Sequence, residues 1–230
     1  MEIEVLVAGP QHEGYAEEIC EQIEAAARAR GTGIAKRDPN YIRQKIRDGK
    51  AIIALTDGEF SGFCYIETWG HGKYVANSGL IVVPDFRQSG LAKRIKQKAF
   101  ELSREKYPEA KLFGITTSLA VMKINSDLGY KPVTFSELTD DEVFWSGCQS
   151  CPNFDVLTRT QRKLCLCTGM LYDPAKEEVK PEPAAQAEPV SQNMTRSERW
   201  QRFIQHLQKR SNNAWLQSIL ENLFKKTPVA

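Results

Sequence analysis

Ile3, Val5 and Val7 recur at every second position, the period of a half-buried strand. Tyr15, Ile19, Ile23 and Ala26 then follow at helical spacing, and Gly31 is placed to stop that helix. Asp38-Pro39 opens a second helix, with Asp as its cap and proline in its first turn, and Tyr41, Ile42 and Ile46 supply the apolar face. Ala51 to Leu55 reads as a second strand, Asp57-Gly58 as a hairpin turn, and Gly62 to Trp69 as a third strand. The turn Gly70-His71-Gly72-Lys73 leads towards the apolar run Leu80 to Val83, a fourth strand stopped by Pro84. Ile95, Ala99, Phe100 and Leu102 mark a third helix, Leu112 to Thr116 a fifth strand, and Leu119 to Leu128 a helix closed by Gly129. Tyr130 to Phe135 and Leu164 to Leu171 complete the pattern as sixth and seventh strands.

Between the fourth strand and the third helix stands Arg87-Gln88-Ser89-Gly90-Leu91-Ala92. A strand, a glycine-bearing turn and a helix start together make an anion site, because the first N–H groups of a helix are unpaired and carry the positive end of its dipole. Gly90 lets the backbone approach a ligand, and Ala92 is small enough to keep that approach open.

From Asp173 the pattern breaks down. The stretch 174–194 is rich in Pro, Glu and Ala and reads as a disordered linker. Thr195-x-x-Glu198 is a capping box, followed by Trp200, Phe203, Ile204 and Leu207, then by a second apolar face carrying Trp215, Leu216, Ile219, Leu220, Leu223 and Phe224. The expected organisation is a folded domain over 1–173, a linker over 174–194 and a basic helical hairpin over 195–227. That hairpin suits a membrane surface, a partner protein, or packing onto its own domain or a dimer mate.

The 230 residues carry a net charge of +2, too little to argue for nucleic acid. No run reaches the length of a membrane span, and the acidic start Met1-Glu-Ile-Glu-Val is unlike a signal peptide. The expectation is a cytoplasmic protein whose six cysteines are thiols or metal ligands rather than disulfides.

The element order and the hexapeptide from Arg87 to Ala92 resemble the GNAT acyltransferase superfamily and its acyl-CoA pyrophosphate loop. Gly129-Tyr130 is similar to the Gly-Phe/Tyr that closes the family's last core helix, and the resemblance runs from Ile3 to Tyr172. It implies an α/β fold with a mixed, mostly antiparallel seven-stranded sheet flanked by helices, and an N-acyltransferase that uses acetyl-CoA or succinyl-CoA. Ile81, Val82, Val83, Arg87, Gln88, Ser89, Gly90, Leu91 and Ala92 are the acyl-CoA contacts so implied. The chain departs from the family where a tyrosine usually protonates the leaving thiolate: Asn125 stands there, four residues before Gly129. Glu67 and His71, on or after the third strand, are the alternative bases, and a solvated carboxylate and a turn residue are the plainer readings of them.

The closest resemblance within the superfamily is to the acyltransferase domain of N-acetylglutamate synthase. Lys36-Arg37 before the second helix, Lys73 eleven residues before Pro84, and Gln161-Arg162-Lys163 before the last strand match its basic segments. The resemblance implies Arg37, Lys73 and Arg162 as cations for the two carboxylates of L-glutamate, and hence a role in arginine biosynthesis. Leu164 departs from the serine of that pattern. The alternatives are an enzyme acylating a protein or another small amine, and a CoA-binding module recruited through the C-terminal helices. Cys148-Gln-Ser-Cys151 and Cys165-Leu-Cys167 form a further constellation, the second pair expected on one face of a strand. Four thiolates so spaced suit one structural tetrahedral zinc, and packed free thiols are the other reading.

Overall fold

In the computed structural model the described residues are 2–31, 33 and 36–176. They form a seven-stranded sheet in the order β1-β2-β3-β4-β5-β7-β6. The strands are β1 Ile3–Val7, β2 Ala51–Thr56, β3 Glu59–Trp69, β4 Tyr74–Val82, β5 Lys111–Thr116, β6 Lys131–Val133 and β7 Thr168–Tyr172. The helices are α1 Ala16–Arg30, α2 Pro39–Arg47, α3 Leu91–Lys106, α4 Leu119–Asp127, α5 Glu142–Ser146 and α6 Phe154–Arg159. Every strand pair is antiparallel except β4 with β5. The mixed sheet with flanking helices is the fold class expected from the sequence.

Each helix is seated by its apolar stripe. Ile19, Ile23, Ile42 and Ile46 of α1 and α2 pack with Ile53, Phe63 and Tyr65 on one face of the sheet. Leu91, Ile95, Ala99 and Leu102 of α3 pack with Ile52, Cys64, Ile66 and Leu112 on the other. Alternate residues of β2 and β3 therefore serve opposite cores, as the strand period requires. Asp38 caps α2, its carboxylate accepting from Asn40 N–H at 2.7 Å. A third cluster gathers Phe135, Trp145 and Leu157 against Ala76, Phe113 and Leu171 at the β7 end.

Several boundaries differ from the sequence expectation, among them that of β3, which begins at Glu59 rather than Gly62. β4 begins at Tyr74 rather than Leu80, with its alternation interrupted by Gly79 at φ +66. A Cβ at Gly79 would meet the ring of Tyr65 at 2.7 Å, so that aromatic fills the space a side chain would take. β6 stops at Val133, and two short helices, α5 and α6, occupy the stretch before β7. β7 starts at Thr168, so Cys165 and Cys167 precede the strand rather than lying on it. The 195–227 hairpin, and all of the 174–194 linker beyond Lys176, lie outside the described residues.

The pairing of β4 with β5 positions the site. Tyr74, Val75 and Ala76 face Lys111, Leu112 and Phe113, and the ladder goes no further. β4 stays paired to β3 as far as Val82, and β5 to β7 as far as Thr116. From Asn77 onward the two strands part, and each presents an edge to the space between them.

Candidate active site

A cavity of about 270 Å³ occupies this parting. Residues from Ala76 to Ile81 of β4, from Phe113 to Thr116 of β5, Ser118 at the cap of α4, and Val121 and Asn125 of α4 line it. Unpaired strand N–H and C=O groups in such a cleft can hold an extended amide-bearing chain and polarise a carbonyl placed against them.

The loop from Val83 to α3 has the geometry of an anion cradle. Pro84–Phe86 makes a single tight turn, Gln88 takes φ +64, and Gly90 takes φ +81 as the residue that opens α3. Arg87 Nε donates to Val82 O at 3.1 Å and Ser89 Oγ to Phe86 O at 2.6 Å, which braces the loop from within. Among the described residues, the N–H groups of Gln88, Ser89, Gly90 and Ala92 have no backbone acceptor. These donors, at the start of a sixteen-residue helix, suit a phosphate group. Leu91 faces the core at 1% exposure and so fixes the loop rather than lining it. Ile81 lines the cavity, whereas Val82 and Val83 pack into the cores on either side of the sheet.

Of the three cations expected to meet carboxylates, Arg37 alone lines the cavity. Its Nε donates to Tyr65 Oη at 3.1 Å and its Nη1 to Lys36 O at 2.9 Å, so the guanidinium is held in place. Lys73 sits exposed on the β3–β4 turn, and Arg162 pairs with Glu142 at 2.7 Å; neither is part of the cavity wall. The wall contains two further cations, Arg30 and Lys96, and no aspartate or glutamate among the described residues. Lys96 was not apparent from the sequence, where it is one of four basic residues between Lys93 and Lys98. The available signal was its helical register with Ala99 and Ser103, which faces the core.

The expected catalytic groups separate. Glu67 accepts from Tyr41 Oη and pairs with Lys45, away from the cavity. Tyr41 in turn stacks edge-on against Tyr65 with ring centres 5.7 Å apart, so Glu67 supports the residue that holds Arg37. His71 is an exposed turn residue at φ +56. Asn125 does line the cavity; it is 1% exposed, and its Oδ1 is buried without a hydrogen-bond partner.

Cys148, Cys151, Cys165 and Cys167 lie along one wall as free thiols. Among the described residues no group of three or more His, Cys, Asp or Glu is arranged to hold a metal ion. The zinc site read from the spacing therefore finds no support in this arrangement. Burial, reinforced by the neighbouring thiols, pushes Cys148 up to about 11 and Cys167 up to about 12. Cys64 is buried in the core and Cys20 partly so.

Residues 23–119 match the acetyltransferase (GNAT) family. No curated protein matches the sequence. Among solved structures, N-acetylglutamate synthase from Neisseria gonorrhoeae, complexed with coenzyme A and N-acetyl-glutamate, aligns at 16% identity with a TM-score of 0.54. That alignment covers 75% of this chain and 35% of the synthase, so this chain spans about a third of it. The protein yncA of Salmonella typhimurium, with its cofactor acetyl-CoA, aligns at 14% identity and a TM-score of 0.53 over 80% of this chain and 99% of its own. Rv2747 from Mycobacterium tuberculosis, in complex with CoA and NLQ, gives 15% identity and a TM-score of 0.53 over 74% and 98%. At these identities the likenesses speak to the fold. Taken with the family match, which spans residues 23–119 and so β2 to β5, they support a GNAT-type acetyltransferase domain in this chain.

Proposed function

We propose that the protein transfers an acyl group from CoA to the α-amino group of L-glutamate, as an acyltransferase of arginine biosynthesis. The observation that carries this reading is the charge of the cavity wall: Arg30, Arg37 and Lys96 with no carboxylate among the described residues. An acceptor bearing two carboxylates would otherwise lose several kcal/mol per unpaired charge on entering, an order-of-magnitude cost of about that size. Arginine offers the forked donors that a carboxylate takes, and Arg37 is already oriented by Tyr65. The gonococcal synthase, whose structure contains N-acetyl-glutamate, has the same fold.

In this reading the pyrophosphate of acyl-CoA lies on the N–H groups from Gln88 to Ala92, and the pantetheine arm runs along the edge of β4. The thioester then lies where β4 and β5 part. The amine nitrogen attacks the thioester carbon, a C–N bond forms, the C–S bond breaks, and the thiol leaves with one proton while the amine gives one up. Much of the rate comes from holding the two reactants together.

A screen of acetyl-CoA and succinyl-CoA against glutamate, aspartate, ornithine and a lysine peptide tests the proposal. Glutamate should be the best acceptor. Arg37→Ala should raise its KM about tenfold or more, with acyl-CoA affinity little changed, because only the acceptor loses a partner. Equal or better turnover of ornithine or the lysine peptide by the wild type would overturn it.

A further inference from the structure

Lys96 is the least ordinary residue of the cavity. It lies on the second turn of α3, is 2% exposed, and lines the floor where the strands part. Its Nζ donates to Asn77 Oδ1 at 3.1 Å and stands 5.4 Å from the centre of the Tyr130 ring. Tyr130 Oη donates to the same Asn77 oxygen at 2.9 Å, while Asn77 Nδ2 donates to Ser103 Oγ at 3.0 Å. Ser103 donates in turn to Ala99 O at 2.6 Å. Every member of this network is nine-tenths or more buried. The groups facing the ammonium are Asn77 from β4, Tyr130 from beyond α4 and the thiol of Cys64 from β3. No carboxylate pairs with Lys96 among the described residues. The fold thus holds a buried cation beside one neutral acceptor, and Lys96 has protons left for a group that enters the cavity.

The group that needs one is the departing sulfur. As the C–S bond breaks, its electron pair stays on sulfur, and a thiolate forms in a confined space. Asn125, a polar α4 residue at the cavity, is a carboxamide and has no acidic proton to give. The guanidinium groups of Arg30 and Arg37 are forked hydrogen-bond donors suited to a carboxylate. Cys148 and Cys167 are held too weakly acidic to protonate a thiolate.

We propose that Lys96 is the proton donor to the CoA thiolate in acyl transfer. The proposal rests on the acyl-transfer reading above and goes beyond it in assigning the acid. The amine lone pair forms the C–N bond, the C–S electrons go to sulfur, and a Lys96 N–H proton moves to that sulfur to give CoA thiol. The amine nitrogen sheds its extra proton to water, and the neutral Lys96 amine recovers one from water, so protons balance. Burial brings Lys96 down to about 8, near the range of an ordinary thiol, which suits transfer in this direction.

The test is an ultraviolet titration of thiolate in the protein–CoA complex, combined with steady-state kinetics. In the wild type, bound CoA thiol should ionise at least about one pH unit below free CoA, because the ammonium favours the thiolate. Lys96→Met should remove that shift and lower kcat about a hundredfold, with the CoA dissociation constant changed less than about threefold. Lys96→Arg, which keeps the charge without a transferable proton, should restore the thiol shift but not kcat. An unshifted thiol in the wild-type complex overturns the proposal without any variant. So does a Lys96→Met enzyme with kcat within about threefold of wild type. If the wild type binds CoA with a shifted thiol yet acylates no amine, the acyl-transfer reading fails separately.

Discussion

At the scale of the residue, function and stability pull against each other at Lys96. A lysine charged in solution is here wrapped by α3, β4 and the Tyr130 ring, and burial lowers its proton affinity from 10.5 to about 8. A depressed base means that the unfolded chain binds more protons between those two values, so stability should rise as pH increases through that window. Below it the folded state carries the full penalty, on the order of 3 kcal/mol from the size of the shift. Lys96→Met should therefore melt higher than the wild type at neutral pH, with the gap narrowing as pH climbs past about 8. Chemical denaturation of both proteins across this range measures it, and a less stable Met variant would show that the Asn77 contact outweighs burial. Such a residue is nearly invisible in sequence, since nothing local separates Lys96 from Lys93, Arg94 and Lys98. Arg37 was legible because it lies in a short basic segment at a conspicuous place before α2. Lys73 and Arg162 shared that legibility but stand on the outer turns, since linear spacing reveals a residue's element and not its direction.

At the scale of the element, long periodic segments read well and interrupted ones did not. α1, α2 and α3 carried several turns of apolar repeat, and each forms where the pattern put it. The apolar pattern marks only half of β4 because Asn77-Ser78-Gly79 breaks the alternation, and that break is where the bulge and the cavity wall lie. The stretch from Leu164 to Cys167 alternates like a strand, yet Leu164 and Leu166 are more than 60% exposed. Its cysteines turn inward to the core around α5 and α6, helices too short to show a period. The loop from Gln88 to Ala92 belongs to this scale as well. A Cβ at Gly90 would meet nothing within 4 Å, so the constraint is the backbone, at φ +81, and not space. Gly90→Val should force the loop out of this conformation at a cost of about 1–3 kcal/mol. The N–H groups from Gln88 to Ala92 would then diverge, and the acyl-CoA dissociation constant should rise about tenfold or more while the domain stays folded. Calorimetric titration with CoA decides; an unchanged constant would remove the loop from the site.

At the scale of the molecule, the sheet order decides which part of the chain is indispensable. The family match ends at residue 119, but β7, the last strand among the described residues, lies between β5 and β6. It pairs with β5 from Leu112 to Thr116 and with β6 from Lys131 to Val133. Tyr172 closes that end, its ring 5.0 Å from Phe100 and 6.0 Å from Tyr130 between centres, and Lys111 pairs with Asp173 at 3.1 Å. Met1–Glu178 forms a compact unit of its own. A chain ending at Glu178 should accordingly fold and bind acyl-CoA with unaltered affinity. A chain ending at Cys167 should not fold, because without β7 the residues of β5 lose a paired edge and Phe113 and Tyr130 lose the cover of Leu171 and Tyr172. Thermal melting followed by circular dichroism, with CoA titration of whatever folds, separates the two. Insolubility of the longer chain would mean that residues beyond Glu178 complete the domain, and a cooperative melt from the shorter one would mean that β7 merely covers the sheet.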